Sequence, residues 1–342
     1  MAQAIRPTST EKQIEELEQK IQELKEERIK LQTLNIERNR IDRKKVRQEL
    51  FYEYVGSVAA TLPLPEFKPL PDFTEELFSE EYLVGISDVH YGASFVSENN
   101  TYSPEIAKQR FEDLTGQLIS FIQSKKLKKI NIVFNGDSLQ GVLRLSDLRL
   151  NDSTVVKGCV EFSRLIASML NELSTYAEVT YYHTPSANHT QLRPLGSKAN
   201  ELPEEDLEYL IGNYIKDLCS YNNRIKVELA EEGKGYLSLK IHNFNVVAMH
   251  GHQIKNIQNA LKDFSIWKNE LIEYMILGHY HAGQQIPCNE TINTDTEILI
   301  TPSFVGSDPY SDSLFKGSKS SVVIYGFHEL FGHNETYKII LN

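Results

Sequence analysis

The stretch "VFNGDSLQG", Val133 to Gly141, decides how the chain folds. An apolar run stops abruptly in Asn135, Gly136 and Asp137. Short apolar runs bounded by turn residues read as buried strands. Asp137 therefore stands on a glycine corner where such a strand ends. One aspartate in that place means little by itself, so the question passes to the other strands.

Working outward, the pattern alternates from about residue 80. "YLVGIS" (82–87) reads as a strand, residues 104–124 as a helix, and "INIVFN" (130–135) as a second strand. A helix over 153–175, opened by Asp152 or Ser153, precedes a third strand, "EVTYYHT" (178–184), and a helix near 204–220. This β-α-β-α order predicts a parallel sheet covered by helices. After residue 225 strands dominate, near 225–230, 236–242, 245–250, 274–277, 296–301, 320–327 and 335–341, with one helix over 255–270. The body is α/β first and β-rich second.

Five of these strands end alike. The first runs into "SDVHYG", with Asp88 and His90, and the second into Asp137. The third leads to "SANHT", with Asn188 and His189. Strand 245–250 ends in "MHGH", with His250 and His252, and strand 274–277 in "LGHYH", with His279 and His281. The carboxyl edge of an open α/β sheet is where ligands bind. Two carboxylates, imidazoles and an amide oxygen suit Mn, Fe, Zn or Co better than Ca, which takes oxygen ligands, or structural zinc, which favours thiolates. On an extended segment every second side chain points the same way. Both members of Asp88-x-His90 and of His279-x-His281 are expected to face one site on that ground. Each motif alone is commonplace; the set of five, in order and at strand ends, is not.

Composition limits what the chain can be. Its 342 residues suffice for one large domain and an appendage. No apolar run approaches the roughly 18 residues that span a bilayer, and "MAQAIRPTSTEK" has no apolar core of a secretory signal. Three widely spaced cysteines, Cys159, Cys219 and Cys288, fit a reducing cytoplasm. The formal net charge is −11, but residues 1–55 carry 12 Lys/Arg against 11 Asp/Glu, leaving the remainder at −12. An acidic body disfavours broad, nonspecific grip on nucleic acid.

Residues 9 to about 55 contain no Gly or Pro and predict one long helix. Ile14, Leu17, Ile21 and Leu24 follow a 3-4-3 spacing, with Leu31 a heptad beyond, which is a coiled-coil seam. Arg28 interrupts the register, and Leu34, Ile36, Ile41 and Val46 fit no single frame. Self-association through residues 12–34, most simply as a dimer, is expected. An amphipathic helix packed on its own domain is the other option. The basic stretch "RNRIDRKKVR" (38–47) offers a solvated face or a site for nucleic acid. "TLPLPEFKPLPDF" (61–73) holds four prolines and reads as a stiff linker. The expected division is a coiled-coil helix over 1–58, a linker over 59–78 and a body over 79–342.

The five motifs resemble those of the calcineurin-like metallophosphoesterases: D-x-H, G-D-x-x-D/N, G-N-H-D/E, H and G-H-x-H. The resemblance covers residues 80–305. It implies an αββα sandwich of two sheets with a dinuclear metal centre at one end. It implies Asp88, His90, Asp137 and His281 around one ion, and Asp137, Asn188, His250 and His279 around the other, with Asp137 bridging. His250 is taken over His252 because it directly follows the apolar run; His252 becomes a substrate contact. The two ions are manganese first, with iron, zinc, cobalt or nickel as alternatives. A hydroxide bridging them would attack phosphorus, and His189 would stabilise the transition state or protonate the leaving group. Arg144, Arg149 and Arg193 follow the second and third motifs and are candidates to grip phosphate. Three positions depart from the pattern. Gln140 stands where the family often has Asp or Asn, Ala187 replaces a glycine, and Thr190 replaces the acid that usually orients the histidine.

The expected activity is metal-dependent hydrolysis of a phosphate ester, with a diester in nucleic acid or a nucleotide ahead of a nucleotide or phosphoprotein monoester. The rival is a non-catalytic assembly protein that uses the coiled coil and has lost catalysis at Thr190. The segment "VGSDPYSDSLFKGSKSS" (305–321) is either a wall of the site or a plain connection.

Overall fold

A computed structural model describes residues 9–59, 80–141, 145–193, 197–198, 201–202, 204–290, 295–315 and 317–341. The chain divides into two units, Met1–Leu62 and Pro63–Asn342. In the first, one helix, α1, runs Ser9–Ala59. Leu17, Ile21, Leu24 and Leu31 of the expected seam are each more than half exposed, as are Leu34, Ile36, Ile41 and Val46. The side chain of Ile14 and nearly all of the proline-rich stretch expected as a linker lie outside the described residues.

In the second unit the apolar runs become two sheets. The first contains β1 (Glu80–Ile86), β4 (Lys129–Phe134), β5 (Glu178–His183), β6 (Ile225–Leu229), β12 (Ser321–His328) and β13 (Gly332–Ile340), in the order β13-β12-β1-β4-β5-β6. From β1 to β6 the neighbours are parallel, while β12 runs antiparallel to β1. The second contains β7 (Leu237–Ile241), β8 (Phe244–Met249), β9 (Tyr274–Leu277), β10 (Gln284–Glu290) and β11 (Asp295–Ile300), in the order β10-β11-β9-β8-β7. Here β8, β9 and β11 form the parallel centre. A small hairpin pairs β2 (Phe95–Val96) with β3 (Thr101–Tyr102).

Alternation along the strands decides the layers. Val246, Ala248, Tyr274, Ile276 and Leu299 of the second sheet share one core with Leu83, Val133, Val323, Tyr325 and Phe327 of the first. Their sequence neighbours Val247, Met249, Met275, Leu277, Ile298 and Ile300 point the other way, onto Ala260 and Leu261 of α6 (Ile257–Lys268). The far face of the first sheet is covered by α2 (Pro104–Lys125), α4 (Val155–Leu173) and α5 (Leu207–Cys219). The expected αββα sandwich is the architecture observed.

Local signals place the helix starts. Ser103 accepts a hydrogen bond from Ile106 N ahead of Pro104 at the start of α2. Thr154, rather than the expected Asp152 or Ser153, caps α4, because its hydroxyl is the one that reaches Lys157 N. Besides the two-residue strands β2 and β3, three elements carry no periodic signal long enough to read in advance. These are β10, the six-residue α3 (Leu145–Leu150) and α7 (Pro309–Ser313), which starts in an Asp308/Ser311 capping box.

Candidate metal centre

All five motifs leave the C-terminal ends of parallel strands: β1, β4 and β5 in one sheet, β8 and β9 in the other. The two sheets thus bring their carboxyl edges to one place. Backbone bonds stitch the corners together. Asp88 N donates to Gly136 O (3.1 Å), Val89 N and His90 N both donate to Asp137 O (3.0 Å each), and Gly278 N donates to His250 O (3.1 Å).

Within this cluster the side chains form trios whose ligand atoms lie within 4.8 Å of one another: Asp88, His90 and His281; Asp137, His250 and His279; and His90, Asp137 and His189. Asp137 belongs to two of them. Its Oδ2 lies 3.1 Å from His250 Nε2 and 4.0 Å from His90 Nε2. Asn188 Oδ1 lies 2.8 Å from His250 Nε2. All seven residues expected to hold metal are therefore brought together. Asp88, His90, Asp137 and His250 are buried, whereas Asn188, His279 and His281 are partly exposed at the mouth.

The reason they face one site differs from the expected one. The segments after the strands are not extended. Asp88, His90, Asp137, His279 and His281 all have left-handed backbone, with φ of 54°, 50°, 54°, 67° and 60°. His279 and His281 each sit at the centre of a three-residue turn, closed by Tyr280 N to Gly278 O and by Ala282 N to Tyr280 O, both 2.7 Å. Non-glycine residues in this region cost roughly 1–3 kcal/mol each and persist where surrounding structure imposes them, commonly at functional sites. Gly278 is needed beside them, because a Cβ there would meet Ser87 Oγ at 2.2 Å and Asn135 O at 2.8 Å.

Several buried polar atoms of this cluster have no hydrogen-bond partner among the described residues. Asp88 Oδ2 accepts from Ser87 Oγ and from His279 N (3.1 Å). Its Oδ1 is buried with no hydrogen-bond partner among the described residues, as are both ring nitrogens of His90. Buried polar atoms rarely stay unsatisfied. A carboxylate oxygen and two imidazole nitrogens suit a divalent transition ion, so the residues fit the group the fold implies.

The electrostatics follow from this crowding. Burial pushes the Asp137 carboxyl up, but the imidazoles of His250, His189 and His90 outweigh it and hold it well below the usual carboxylate range. Burial lowers His250, and Asp137 and Asp88 then raise it to about 9. Burial holds His90 well below its ordinary value. His279 and His252 fall to about 4, through burial and then the neighbouring His250.

His189 stands edge-on to His90, with ring centroids 4.6 Å apart. Its Nδ1 lies 2.9 Å from the carbonyl of Gln140, and its backbone N–H donates to Asp137 Oδ1 at 2.9 Å. A carbonyl can only accept, so Nδ1 carries the proton and Nε2 is the exchangeable position. The backbone of Gln140 thus orients the ring in this chain, whose position 190 is a threonine. Gly141 permits the close approach: its φ is 73°, and a Cβ there would lie 1.8 Å from His189 O.

The remaining candidates divide. His252 lies beside the second trio, 5.6 Å from His250 and 6.4 Å from His279 by ring centroids. Arg193 is half-buried, donates to Gln191 Oε1 (3.4 Å), and its charge acts on His252. Arg149 is exposed in the last turn of α3. Arg144 lies outside the described residues. Segment 305–321 begins against the site, with Val305 N donating to Asp88 O (3.0 Å). Asn135 was legible only as part of the glycine corner, yet its carbonyl holds His250 Nδ1 at 2.7 Å.

The whole chain has a known relative. It is 37% identical to the SPbeta prophage-derived uncharacterized protein YonJ of Bacillus subtilis (strain 168), over 96% of this chain and 80% of that one. A model of the YonJ coiled-coil domain matches residues 20–56. The chain belongs to the YonJ family. Among solved structures, this YonJ relative is similar to Vps29 complexed with Zn2+ from Entamoeba histolytica, at 14% identity and a TM-score of 0.31, over 76% of this chain and 99% of that one. It is similar also to a dimetal phosphatase from Danio rerio, at 9% identity and a TM-score of 0.36, over 77% and 99%. No helix among the described residues is long and apolar enough to cross a membrane.

Proposed function

We propose that the body, residues 79–342, hydrolyses phosphate esters at a centre of two divalent metal ions, manganese first. The observation that carries this is Asp137, shared between two trios of metal-competent side chains, beside buried atoms of Asp88 and His90 that have no hydrogen-bond partner among the described residues. Asp88, His90, Asp137 and His281 would hold one ion, and Asp137, Asn188, His250 and His279 the other. Bound there, the ions supply Lewis acidity toward phosphoryl oxygens and an activated water.

The chain's own groups do the rest. Asp137 is kept ionised by the imidazoles around it. His189, fixed through Nδ1 by the Gln140 carbonyl, moves a proton at Nε2 to the leaving oxygen. Arg193 and His252 bind the part of the substrate that lies beyond the second trio. Arg149 and Arg144 are assigned no step.

The favoured substrate is a phosphodiester in nucleic acid or a nucleotide. Support comes from the exposed basic side chains Arg38, Arg40, Arg43, Lys45 and Arg47 on α1, which suit a polyanion. α1 would join two copies of the chain, since its apolar residues are exposed. All three cysteines are free, in keeping with a reducing compartment such as the cytoplasm.

The test is an assay of the full chain with Mn2+ against bis-p-nitrophenyl phosphate and p-nitrophenyl phosphate, with Asp137→Asn alongside. Diester turnover that the mutant loses supports the proposal. Preference for the monoester moves the substrate to nucleotides or phosphoproteins. Two bound ions with no turnover of any ester favours an assembly role.

A further inference from the structure

We infer that Asp206 and Glu208 are positioning residues. These two carboxylates, outside every metal motif, set the spacing between the Asp137 corner and the Asn188 corner and so tune the second metal position. The inference rests on the dinuclear proposal above.

The two residues flank the start of α5: Asp206 is its N-cap and Glu208 its second residue. Both are buried, Glu208 completely. Glu208 accepts from Ser138 N (2.9 Å) and from Ser138 Oγ (2.5 Å). Ser138 directly follows Asp137, so these bonds grip the corner that carries the shared carboxylate. The third donor to Glu208 is His183 Nε2 (2.8 Å), whose Nδ1 is met by Tyr181 OH (2.8 Å). Asp206 reaches the other corner. Its Oδ2 accepts from Ala187 N (3.0 Å), one residue before Asn188, and its Oδ1 accepts from Glu208 N (3.0 Å). Backbone bonds seat the same segment: Leu207 N donates to Thr190 O (3.1 Å) and Leu192 N to Glu205 O (2.7 Å).

One helix start thus holds the residue after Asp137 and the residue before Asn188 at the same time. Burying a carboxylate is costly, and several donors are needed to offset it. Packing alone would be served as well by apolar side chains. What apolar side chains could not do is fix two backbone N–H groups on two different loops. Outer carboxylates that orient ligands in this way are worth roughly 10–100-fold in metal affinity. Thr190 leaves no acid directly after His189, and α5 brings one to the same loop from another part of the chain.

The test is Mn2+ titration calorimetry of the full chain, with the visible absorption of the Co2+-loaded protein and thermal unfolding of the metal-free protein. Wild type is compared with Glu208→Gln, Asp206→Asn and Ser138→Ala. The expected result is a rise of about 10–100-fold in the weaker Kd for the two carboxylate variants, a smaller rise for Ser138→Ala, and an altered Co2+ spectrum. Wild-type Kd values and spectrum, with only a lower metal-free Tm, would overturn the inference by assigning both residues a purely structural role. If Glu208→Gln does not fold, Ser138→Ala deletes one donor only and decides by the same readouts. A wild type that takes up fewer than two ions removes the dinuclear proposal itself, a failure visible before any variant is compared.

Discussion

His250 points Nε2 at two oxygens, Asp137 Oδ2 at 3.1 Å and Asn188 Oδ1 at 2.8 Å, while its Nδ1–H is committed to the Asn135 carbonyl at 2.7 Å. A bare nitrogen lone pair facing two oxygens is repulsive, so a proton or a cation must sit between them. Without metal it is a proton, which is why His250 is raised to about 9. Metal uptake at pH 7.5 should therefore release about one proton from this site. Unbuffered titration with Mn2+ measures it directly. Asp137→Asn, which takes away the charge that raises His250, should abolish both the release and ester hydrolysis. Full release in the mutant would sink the assignment.

The same cluster sets the pH dependence of the metal-free fold. His252 and His279, at about 4, and His90, held low by burial, stay neutral in the fold but gain protons in the unfolded chain below about 6.5. The unfolded state binds more protons there, so stability falls as pH drops from about 6.5 toward 4. Asp206, raised to about 7 by burial and by Glu208, works in the opposite direction, one group against three. His250 stabilises fully below about 6.5, and its contribution is lost as pH rises through about 9. Urea midpoints of the metal-free protein should peak near pH 6.5. A midpoint still rising from pH 6.5 to 9 would contradict the His250 assignment.

The left-handed turns imply a conflict between stability and metal binding. His281 sits at φ 60°, a conformation that costs a residue with a Cβ about 1 kcal/mol or more relative to glycine. His281→Gly should raise the metal-free stability above that of His281→Ala by about 1 kcal/mol, since both delete the imidazole and only glycine relieves the backbone. Both should weaken metal binding alike. Lys126→Gly, at the left-handed C-cap of α2 (φ 53°), should stabilise by a similar amount and leave metal binding untouched. Equal stability of the two His281 variants would show that the turn holds no such cost.

His189 separates leaving groups. If it protonates the departing oxygen, His189→Asn should cost about 10²–10⁴-fold in kcat with a dinucleotide, whose alkoxide leaves poorly. With bis-p-nitrophenyl phosphate, whose phenolate needs no proton, the loss should be far smaller. The backbone N–H that His189 gives to Asp137 survives the substitution, so metal stoichiometry should stay at the wild-type value. An equal loss on both substrates would point to electrostatic support in place of proton transfer.

How much of this could be read in the sequence depends on the length scale of the signal. Asp88, His90, Asp137, Asn188, His189, His250, His279 and His281 were legible because each directly follows, or closely trails, an apolar run, and strand ends are visible in one dimension. Asp88 and His90 do face one site, but not by the alternation of an extended segment: the backbone turns left-handed there to meet Gly136 and Asp137 of the next strand, and residue type carries no sign of that turn. The Gln140 carbonyl and the Asp206-x-Glu208 pair were hidden for another reason. A backbone acceptor leaves no mark on residue type, and acids near a helix start are what any N-terminus shows. Their partners lie on loops about 20 to 70 residues away, a separation only the folded sheets bring together.

The helix poses the last testable question. Leu17, Ile21, Leu24 and Leu31 are exposed along α1, and residues 20–56 match a coiled-coil model. A helix with an exposed apolar seam gains by pairing, and each buried leucine or isoleucine is worth roughly 1.5–3 kcal/mol. Leu24→Glu places a charge in the centre of that seam, so sedimentation equilibrium of the full chain should shift from dimer toward monomer. Exposed Ile36→Glu, which lies outside the heptad frame of Leu17, Ile21 and Leu24, should leave the mass unchanged. If the pair forms through the seam, turnover of bis-p-nitrophenyl phosphate should not change in Leu24→Glu, because every residue of the metal centre belongs to the second unit. Turnover of a long polynucleotide should fall, because the basic side chains of α1 would no longer be presented twice in one assembly. Equal turnover of the polynucleotide by dimer and monomer would separate the helix from catalysis and leave it an assembly element alone.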